Sequence, residues 1–481
     1  MSTATFDIPS VIPERIVNAR GAGAHGYFEA YESMASLTRA NFLGEKGRRT
    51  PVFVRFSTVT GFRGSSDLVR DVRGFAVKFY MAEGNYDLVG NNMPVFFIQD
   101  AMDYPDLIRA AKPEPHNEMP QASMTQDTFW EYISRMPESM HMVMWTMSDR
   151  AIPRSYRMME GFGVHTFRFV NAEGTARFVK FHWKPVLGLH AVAWDEAIKI
   201  SGNDPDFHRR DLFEAIEAGD YPAWEFGVQV VDEREADGFD FDLRDPTKLI
   251  PEEIVPVRRI GRLVLDRNPG SYFAETEQVA FHPGNVVPGI DFSDDPLLQG
   301  RLHAYAPMQA SRLGGHGFRE LPINRSRRPA VDAAIEATTI DRSDAFLDCF
   351  TQARMFVHSQ SEHEYNHICH ALEFELGKVA SRAVRERMLF VLSQVDEDMA
   401  ASVGRGLGMP VPKKSDAPRR VAPKPARDMA LSPALSMAGT GTDNVATRKV
   451  AVLVADGYDP VDLAVLREAL EASGARLKFV A

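Results

Sequence analysis

His165-Thr166-Phe167-Arg168-Phe169-Val170 and Ala176-Arg177-Phe178-Val179-Lys180-Phe181 flank the segment Asn171-Ala172-Glu173-Gly174. Two strand-length runs around a turn sequence predict a β-hairpin, so the sheet that holds them starts out antiparallel. Outward from this hairpin the pattern repeats. Thr50-Pro51-Val52-Phe53-Val54-Arg55-Phe56-Ser57 and Gly74-Phe75-Ala76-Val77-Lys78-Phe79-Tyr80 are runs of strand length, and Glu225 to Val231 and Ile260 to Leu265 add two more. Repeated hairpins with few long helices between them predict an antiparallel sheet or barrel up to about Asp266. Asp127 to Met147, rich in aromatic residues and Met, interrupts it as a predicted helical segment.

After Pro329 the texture changes. Residues 331–411 are rich in Ala, Glu, Leu and Met with few strand signals, which predicts a small helical domain. Residues 412–447 are rich in Pro, Ala, Ser, Lys and Arg without apolar period, the composition of a linker. Within 448–481, Val450 to Asp456 reads as a buried strand, Asp459 to Ser473 as a helix and Leu477 to Val480 as a second strand. A lone β-α-β unit cannot cover both faces of a parallel sheet, so it is read as the incomplete start of a further domain. The expected fold class is α+β, with residues 1–330 as the barrel core.

Composition narrows the function. The 481 residues are 44% hydrophobic and 25% charged, a globular balance that can bury more than one core. Sixty-six acidic against 55 basic side chains give a net charge of −11, which repels phosphate backbones and anionic lipid. Nucleic acid and membrane are therefore not expected as partners. Met1 to Ser10 lacks the basic and apolar regions of a secretory signal, and no apolar run reaches bilayer length. Cys349 and Cys369 are too few for a disulfide framework. The expectation is a soluble cytoplasmic protein.

Two short motifs invite functional readings that the context does not support. Gly21-Ala22-Gly23-Ala24-His25-Gly26 matches G-x-G-x-x-G, but no second parallel strand follows at the right distance, so a flexible glycine loop is expected. His363-Glu364-Tyr365-Asn366-His367 matches H-E-x-x-H, yet the segment is very polar and implies no strong third ligand, so an exposed helix is expected. Pro296 to Tyr305 carries more. Asp294 or Asp295 can cap a helix with Pro296 at its first position, and Arg301 and Tyr305 then share a face at i, i+4. A guanidinium beside a phenol favours the phenolate, a hard anionic ligand for ferric iron. Arg312 falls two turns further on. Taken alone, a tyrosine on a helix is more often a core residue.

Longer motifs point to a family. They begin with Arg15-Ile16-Val17-Asn18-Ala19-Arg20-Gly21 and His25-Gly26-Tyr27-Phe28, and include Val54 to Val59, Val69 to Phe75 and Asp87 to Asn92. Pro94 to Asp100, Met147 to Arg150 and Arg154 to Tyr156 complete the set. Together they closely resemble the monofunctional haem catalases of the large-subunit branch, from about Ile12 to Asn324 and more weakly through Lys378 and beyond. The resemblance implies an eight-stranded antiparallel barrel, haem (b or a modified d-type), disproportionation of hydrogen peroxide to water and oxygen, and a homotetramer. Tyr305 looks like the proximal iron ligand, with Arg301 stabilising its phenolate. Arg15, Arg55 and Arg312 match the arginines that bind the haem propionates, and Asn91 matches the distal amide that hydrogen-bonds peroxide. Ser57 would support the distal catalytic residue, Val59 and Asp71 would line the peroxide channel, and Phe96 and Phe97 would wall the distal pocket. His282 matches the histidine tied covalently to the proximal tyrosine in some members. The terminal β-α-β unit resembles the start of a flavodoxin-like domain. That domain stands where smaller relatives bind a nucleotide, so NADPH is not expected.

Three departures from the family pattern bear on activity. The distal catalytic position, a histidine in the family, is Asn18 here. Catalysis needs a group that takes a proton from one peroxide oxygen and returns it to the other, which an imidazole does and an amide does not. His25 is no substitute, because the family's base belongs at position 18. The amino-terminal arm is also short, and Pro322-Ile323-Asn324 is followed almost directly by the helical region at Asp341, where the family has a long wrapping segment. The sequence thus reads as a catalase-family enzyme impaired at Asn18. Its competitors are a non-catalytic haem-binding or sensing protein on the same scaffold and a weak haem peroxidase.

Overall fold

The computed structural model describes residues 12–113, 127–327, 344–414, 423–441 and 444–480. Strands β1 (Gly21–Ala30), β2 (Arg49–Thr58), β3 (Arg73–Met81) and β4 (Gly84–Asn91) come first, followed by helices α1 (Tyr104–Ala111), α2 (Asp127–Ile133) and α3 (Met140–Met147). Next are β5 (Gly161–Phe162), β6 (Phe167–Val170), β7 (Ala176–Pro185), α4 (Trp194–Asn203), α5 (Phe207–Glu217), β8 (Ala223–Asp232), β9 (Arg258–Arg267) and β10 (Ile290–Phe292). Helices α6 (Pro296–Arg312), α7 (Thr351–His358), α8 (Glu362–Gly377), α9 (Arg382–Val395) and α10 (Glu397–Gly406) then precede β11 (Lys449–Leu453), α11 (Pro460–Ala472) and β12 (Arg476–Val480).

The expected hairpin is β6–β7, with Phe167 opposite Val179 and Val170 opposite Ala176. Strand β7 is also where the barrel closes. One edge pairs with β6 and, further along, with β5, while the other pairs with β8 from Arg177 to Pro185. The order β5-β4-β3-β2-β1-β9-β8-β7 returns to β5, giving a closed eight-stranded antiparallel barrel and leaving no free edge. Aromatic side chains fill it. Phe28, Phe56, Phe75, Phe79, Trp183 and Phe226 are all buried, and the rings of Trp183 and Phe226 lie 4.2 Å apart between centroids.

The glycine motif is not a loop. Gly21 to Gly26 forms the first half of β1, which lies between β2 and β9. A Cβ on Gly26 would stand 1.9 Å from the Val264 carbonyl, at the point where the β1–β9 register shifts. The glycine is there so that two backbones can meet at a bulge.

Asp127 to Met147 forms two helices instead of one, broken by a short 3-10 turn at Pro137–Ser139. Helices α2 and α3 share one core with α7 to α10, and Trp145 of α3 stacks on Phe356 of α7 with centroids 4.6 Å apart. The expected helical region from residue 331 to 343 lies outside the described residues. In the H-E-x-x-H segment, Glu364 closes a capping box with Ser361 and accepts from Ser436 Oγ, while His367 Nδ1 meets Asp149 at 2.7 Å. Among the described residues no group of side chains is placed to hold a metal ion.

Residues 423–441, inside the expected linker, run along the body of the molecule. Ser432 Oγ donates to Glu253 at 2.6 Å, the Met437 N–H donates to Glu364 at 2.6 Å, and Gly441 bridges to Gly188. Beyond them β11 and β12 pair in parallel. Among the described residues no helix is long and apolar enough to cross a membrane.

Candidate active site

Helix α6 is fixed at its start by Asp295, whose Oδ1 accepts from the N–H groups of Leu297 (2.9 Å) and Leu298 (3.0 Å). Pro296 occupies the first turn, where its missing N–H costs nothing. The second oxygen of Asp295 accepts from His165 Nδ1 at 2.6 Å, and His165 Nε2 lies 2.7 Å from Arg301 Nη1. Burial lowers the His165 pKa against the pull of Asp295, and because a guanidinium only donates, Nε2 must be the acceptor. The carboxylate then fixes the proton on Nδ1. Arg301 Nη2 in turn donates to the Tyr305 hydroxyl oxygen at 2.8 Å. Asp295, His165, Arg301 and Tyr305 therefore form one hydrogen-bonded chain from a helix cap to a phenol.

Backbone strain aims His165 along this chain. Val164 has φ 65°, an outlier for a β-branched residue, in a tight turn where the His165 N–H reaches the Gly163 carbonyl at 2.8 Å. Such a conformation costs on the order of 1–3 kcal/mol and must be held from outside. Lys180 Nζ, buried on β7, donates to the Val164 carbonyl at 3.1 Å.

At one end of the cavity three guanidiniums converge. Arg15 Nη2 donates to the carbonyls of Thr276 (2.9 Å), Glu277 (3.0 Å) and Val279 (3.0 Å). Arg55 holds the Asn18 and Ala19 carbonyls at 2.8 and 3.1 Å, and Arg312 pairs with the Glu277 carboxylate. Glu277 ends a π-helical turn over Tyr272–Glu277 and, among the described residues, is the one buried carboxylate paired with this group. Three cations against one anion leave positive charge in excess. Arg15 Nη1, Arg55 Nε and Arg312 Nη1 are buried without hydrogen-bond partners among the described residues. Burial drives the Arg15 pKa well below its ordinary value, with Arg55 and Arg312 adding repulsion. Unpaired buried donors and unbalanced charge are costly unless an anion completes the site.

Asn18 lines the same cavity as the phenol. Its φ of 62° is left-handed, a region asparagine tolerates better than most residues. Its backbone N–H donates to the Val59 carbonyl at 2.9 Å. The side-chain amide nitrogen donates to Ser57 Oγ at 2.9 Å and to the Thr58 carbonyl at 3.2 Å, and Oδ1 has no hydrogen-bond partner among the described residues. Gly74 leaves room for this pair, since a Cβ there would lie 2.5 Å from Ser57 Oγ and 2.8 Å from Asn18 Nδ2. Asp71 accepts from the N–H groups of Val59 and Thr60, both at 2.8 Å.

A cavity of about 470 Å³ joins these groups, lined by Arg15, Asn18, Arg55, Ser57, Asn91, Arg301, Tyr305 and Arg312 among others. An adjoining cavity of about 70 Å³ shares Asn18, Asn91 and Tyr305 and is walled by Val59, Phe96 and Phe97. Of the residues singled out from sequence, Asp71 and His282 do not line either cavity. Asp71 contacts the cavity-lining Val59 through its N–H, and the His282 ring sits edge-on to Tyr305 with centroids 6.3 Å apart, its Nδ1 accepting from the Gly284 N–H at 2.7 Å. Sequence reading missed His165, Asp295 beyond its capping role, Glu277 and Tyr104, which lines both cavities.

The catalase family model matches residues 2–355, and a second model, described as catalase-related immune-responsive, matches residues 343–407. Catalase-2 of Bacillus subtilis is 53% identical, covering 98% of this chain and 73% of its own length. Catalase HPII of Pseudomonas aeruginosa is also 53% identical, over 98% of this chain and 72% of its own. This chain belongs to the catalase family. The likeness extends to Catalase-B of Dictyostelium discoideum, 47% identical over 98% of the chain and 74% of that relative. The chain is thus an oxidoreductase of the catalase type, and the cofactor its family implies is haem. Alignment with Catalase-2 runs over 512 positions against a chain of 481 residues, so that catalase carries at least 31 positions this one lacks.

Proposed function

We propose that the larger cavity holds haem with Tyr305 as the iron ligand, and that the chain converts two hydrogen peroxide molecules to two waters and one oxygen at a low rate. The site fits that group. Arg15, Arg55 and Arg312 offer unpaired donors and surplus positive charge to two propionates, and Tyr305 presents a hard oxygen donor backed by Arg301. Haem, b or d-type, supplies the redox-active iron through which one peroxide is reduced and another oxidised.

The low rate follows from the chain's own residues. Asn18 offers peroxide only the amide oxygen, because its nitrogen is committed to Ser57 and Thr58. That oxygen accepts a hydrogen bond but does not take the proton, whereas an imidazole in its place would both take and return it. Asn91, with its side chain on the same cavity, orients peroxide by hydrogen bonding. Val59, held by Asp71, and Phe96 and Phe97 form the apolar approach that excludes bulk water. The commitment of the Asn18 amide nitrogen is the observation that carries this reading.

The same reading extends to a homotetramer and to a covalent link between His282 and Tyr305, whose rings are already adjacent. Separate His282 and Tyr305 peptides in a mass spectrum of the digest would exclude the link. The main test is oxygen evolution from peroxide by the haem-loaded chain beside its Asn18→His variant. Slow release, raised by about 10²–10⁴-fold in the variant, is expected. Fast release by the unaltered chain would show that another group moves the proton.

A further inference from the structure

Three polar groups of cavity-lining residues have no protein hydrogen-bond partner among the described residues: Asn18 Oδ1, the Asn91 side-chain amide and the Tyr104 hydroxyl. Asn18 Oδ1 can only accept, and Asn91 can accept or donate. Tyr104 stands at the first position of α1, followed by Pro105, and its ring lines the larger and the smaller cavity together with both amides. Other tyrosines bordering this region are committed. The Tyr80 hydroxyl donates to the Ile323 carbonyl at 2.7 Å and that of Tyr272 to the Gly21 carbonyl at 3.2 Å.

The other titratable side chains of the smaller cavity are also engaged. His165 uses both ring nitrogens, on Asp295 and Arg301, and Arg301 also holds Tyr305. We propose that Tyr104 is a ligand-contacting residue whose hydroxyl donates a hydrogen bond to the small oxygen ligand bound beside Asn18 and Asn91. A phenol keeps its proton at neutral pH, so the hydroxyl remains a donor. Donation and acceptance, which one imidazole combines, are then divided between a phenol and an amide. The pocket selects ligands small enough to meet both while bound at the iron.

The inference rests on haem binding at Tyr305, and fluoride is the probe, because it binds ferric haem and takes up any donor that reaches it. Haem-loaded chain and its Tyr104→Phe variant are titrated with fluoride at constant pH. The expected result is unchanged haem uptake and Soret absorption in the variant, with fluoride affinity about tenfold weaker. The visible charge-transfer band of the fluoride complex also shifts, a signature that loss of packing alone does not produce. Equal affinity and an unshifted band in the two proteins overturn the inference. Failure of the unaltered chain to take up haem overturns instead the reading of the cavity on which it depends. Should Tyr104→Phe not fold, Tyr104→Gln retains a donor and a polar side chain, and fluoride affinity within about threefold of the unaltered chain supports the same assignment. A tenfold loss in that variant counts against it.

Discussion

The two faces of the cavity are organised in opposite ways. On the Tyr305 side, Asp295, His165, Arg301 and the phenol are joined end to end, with Val164 held in a strained turn to complete the line. On the Asn18 side, the backbone and the amide nitrogen are tied down, while Asn18 Oδ1 and the Asn91 side chain have no hydrogen-bond partner among the described residues. A fixed electrostatic support needs no freedom, so its hydrogen bonds are satisfied within the fold. A substrate-facing wall must leave its bonds unmade until substrate arrives. The contrast locates the chemistry more surely than any single residue does.

The largest test of this contrast is on the open side. Asn18→His should raise oxygen evolution by about 10²–10⁴-fold while leaving the Soret spectrum in place. On the wired side, Tyr305→Phe removes the phenol oxygen without disturbing packing. Haem titration should then show loss of the tyrosinate-type spectrum, and an unchanged spectrum would refute the ligand assignment. Asp295→Ala strips a helix cap and leaves the His165 Nδ1–H buried without its acceptor. Urea denaturation should show a loss of roughly 2–4 kcal/mol, far more than a surface carboxylate would cost.

Lys180 gives a pH test of the same support. Burial lowers its pKa from 10.5 to about 8. Between those values the unfolded chain binds more protons than the folded one, so this group makes stability rise with pH across that window and leaves it flat below about 8. Comparison of unfolding midpoints at intervals across the window should show that slope in the unaltered chain relative to Lys180→Met, at most about 1.4 kcal/mol per pH unit. The smallest effect is expected for Ser57→Ala. Loss of one hydrogen bond from the Asn18 amide should cost about 1 kcal/mol in stability, and the gain from Asn18→His should shrink in that background, as a double-mutant cycle would register.

The parts that were legible in the sequence are those set by local chemistry. The β6–β7 hairpin, the strand runs that became β2, β3, β8 and β9, and the cap at the start of α6 all follow from residues close together in the chain. The glycine motif was misread because its reason lies 238 residues away, in the approach of β1 to the Val264 carbonyl. His165 looked like the edge of a strand, and nothing local announces its bonds to Asp295 and Arg301, separated from it by 130 and 136 residues. Glu277 was overlooked for the same reason, since its arginine partner Arg15 comes from the other end of the barrel region. Asn18 and Asn91, which line the cavity, were singled out because long motifs resembled a family, and Arg312 also by its place two turns beyond Tyr305.

The left-handed backbone at Asn18 has a genetic consequence. Asparagine and histidine are both among the residues that occupy this conformation readily, and their codons differ by a single base. Exchange between them keeps a residue type suited to this main-chain conformation. If position 18 moves the proton as proposed, that group can be lost or regained in one mutational step.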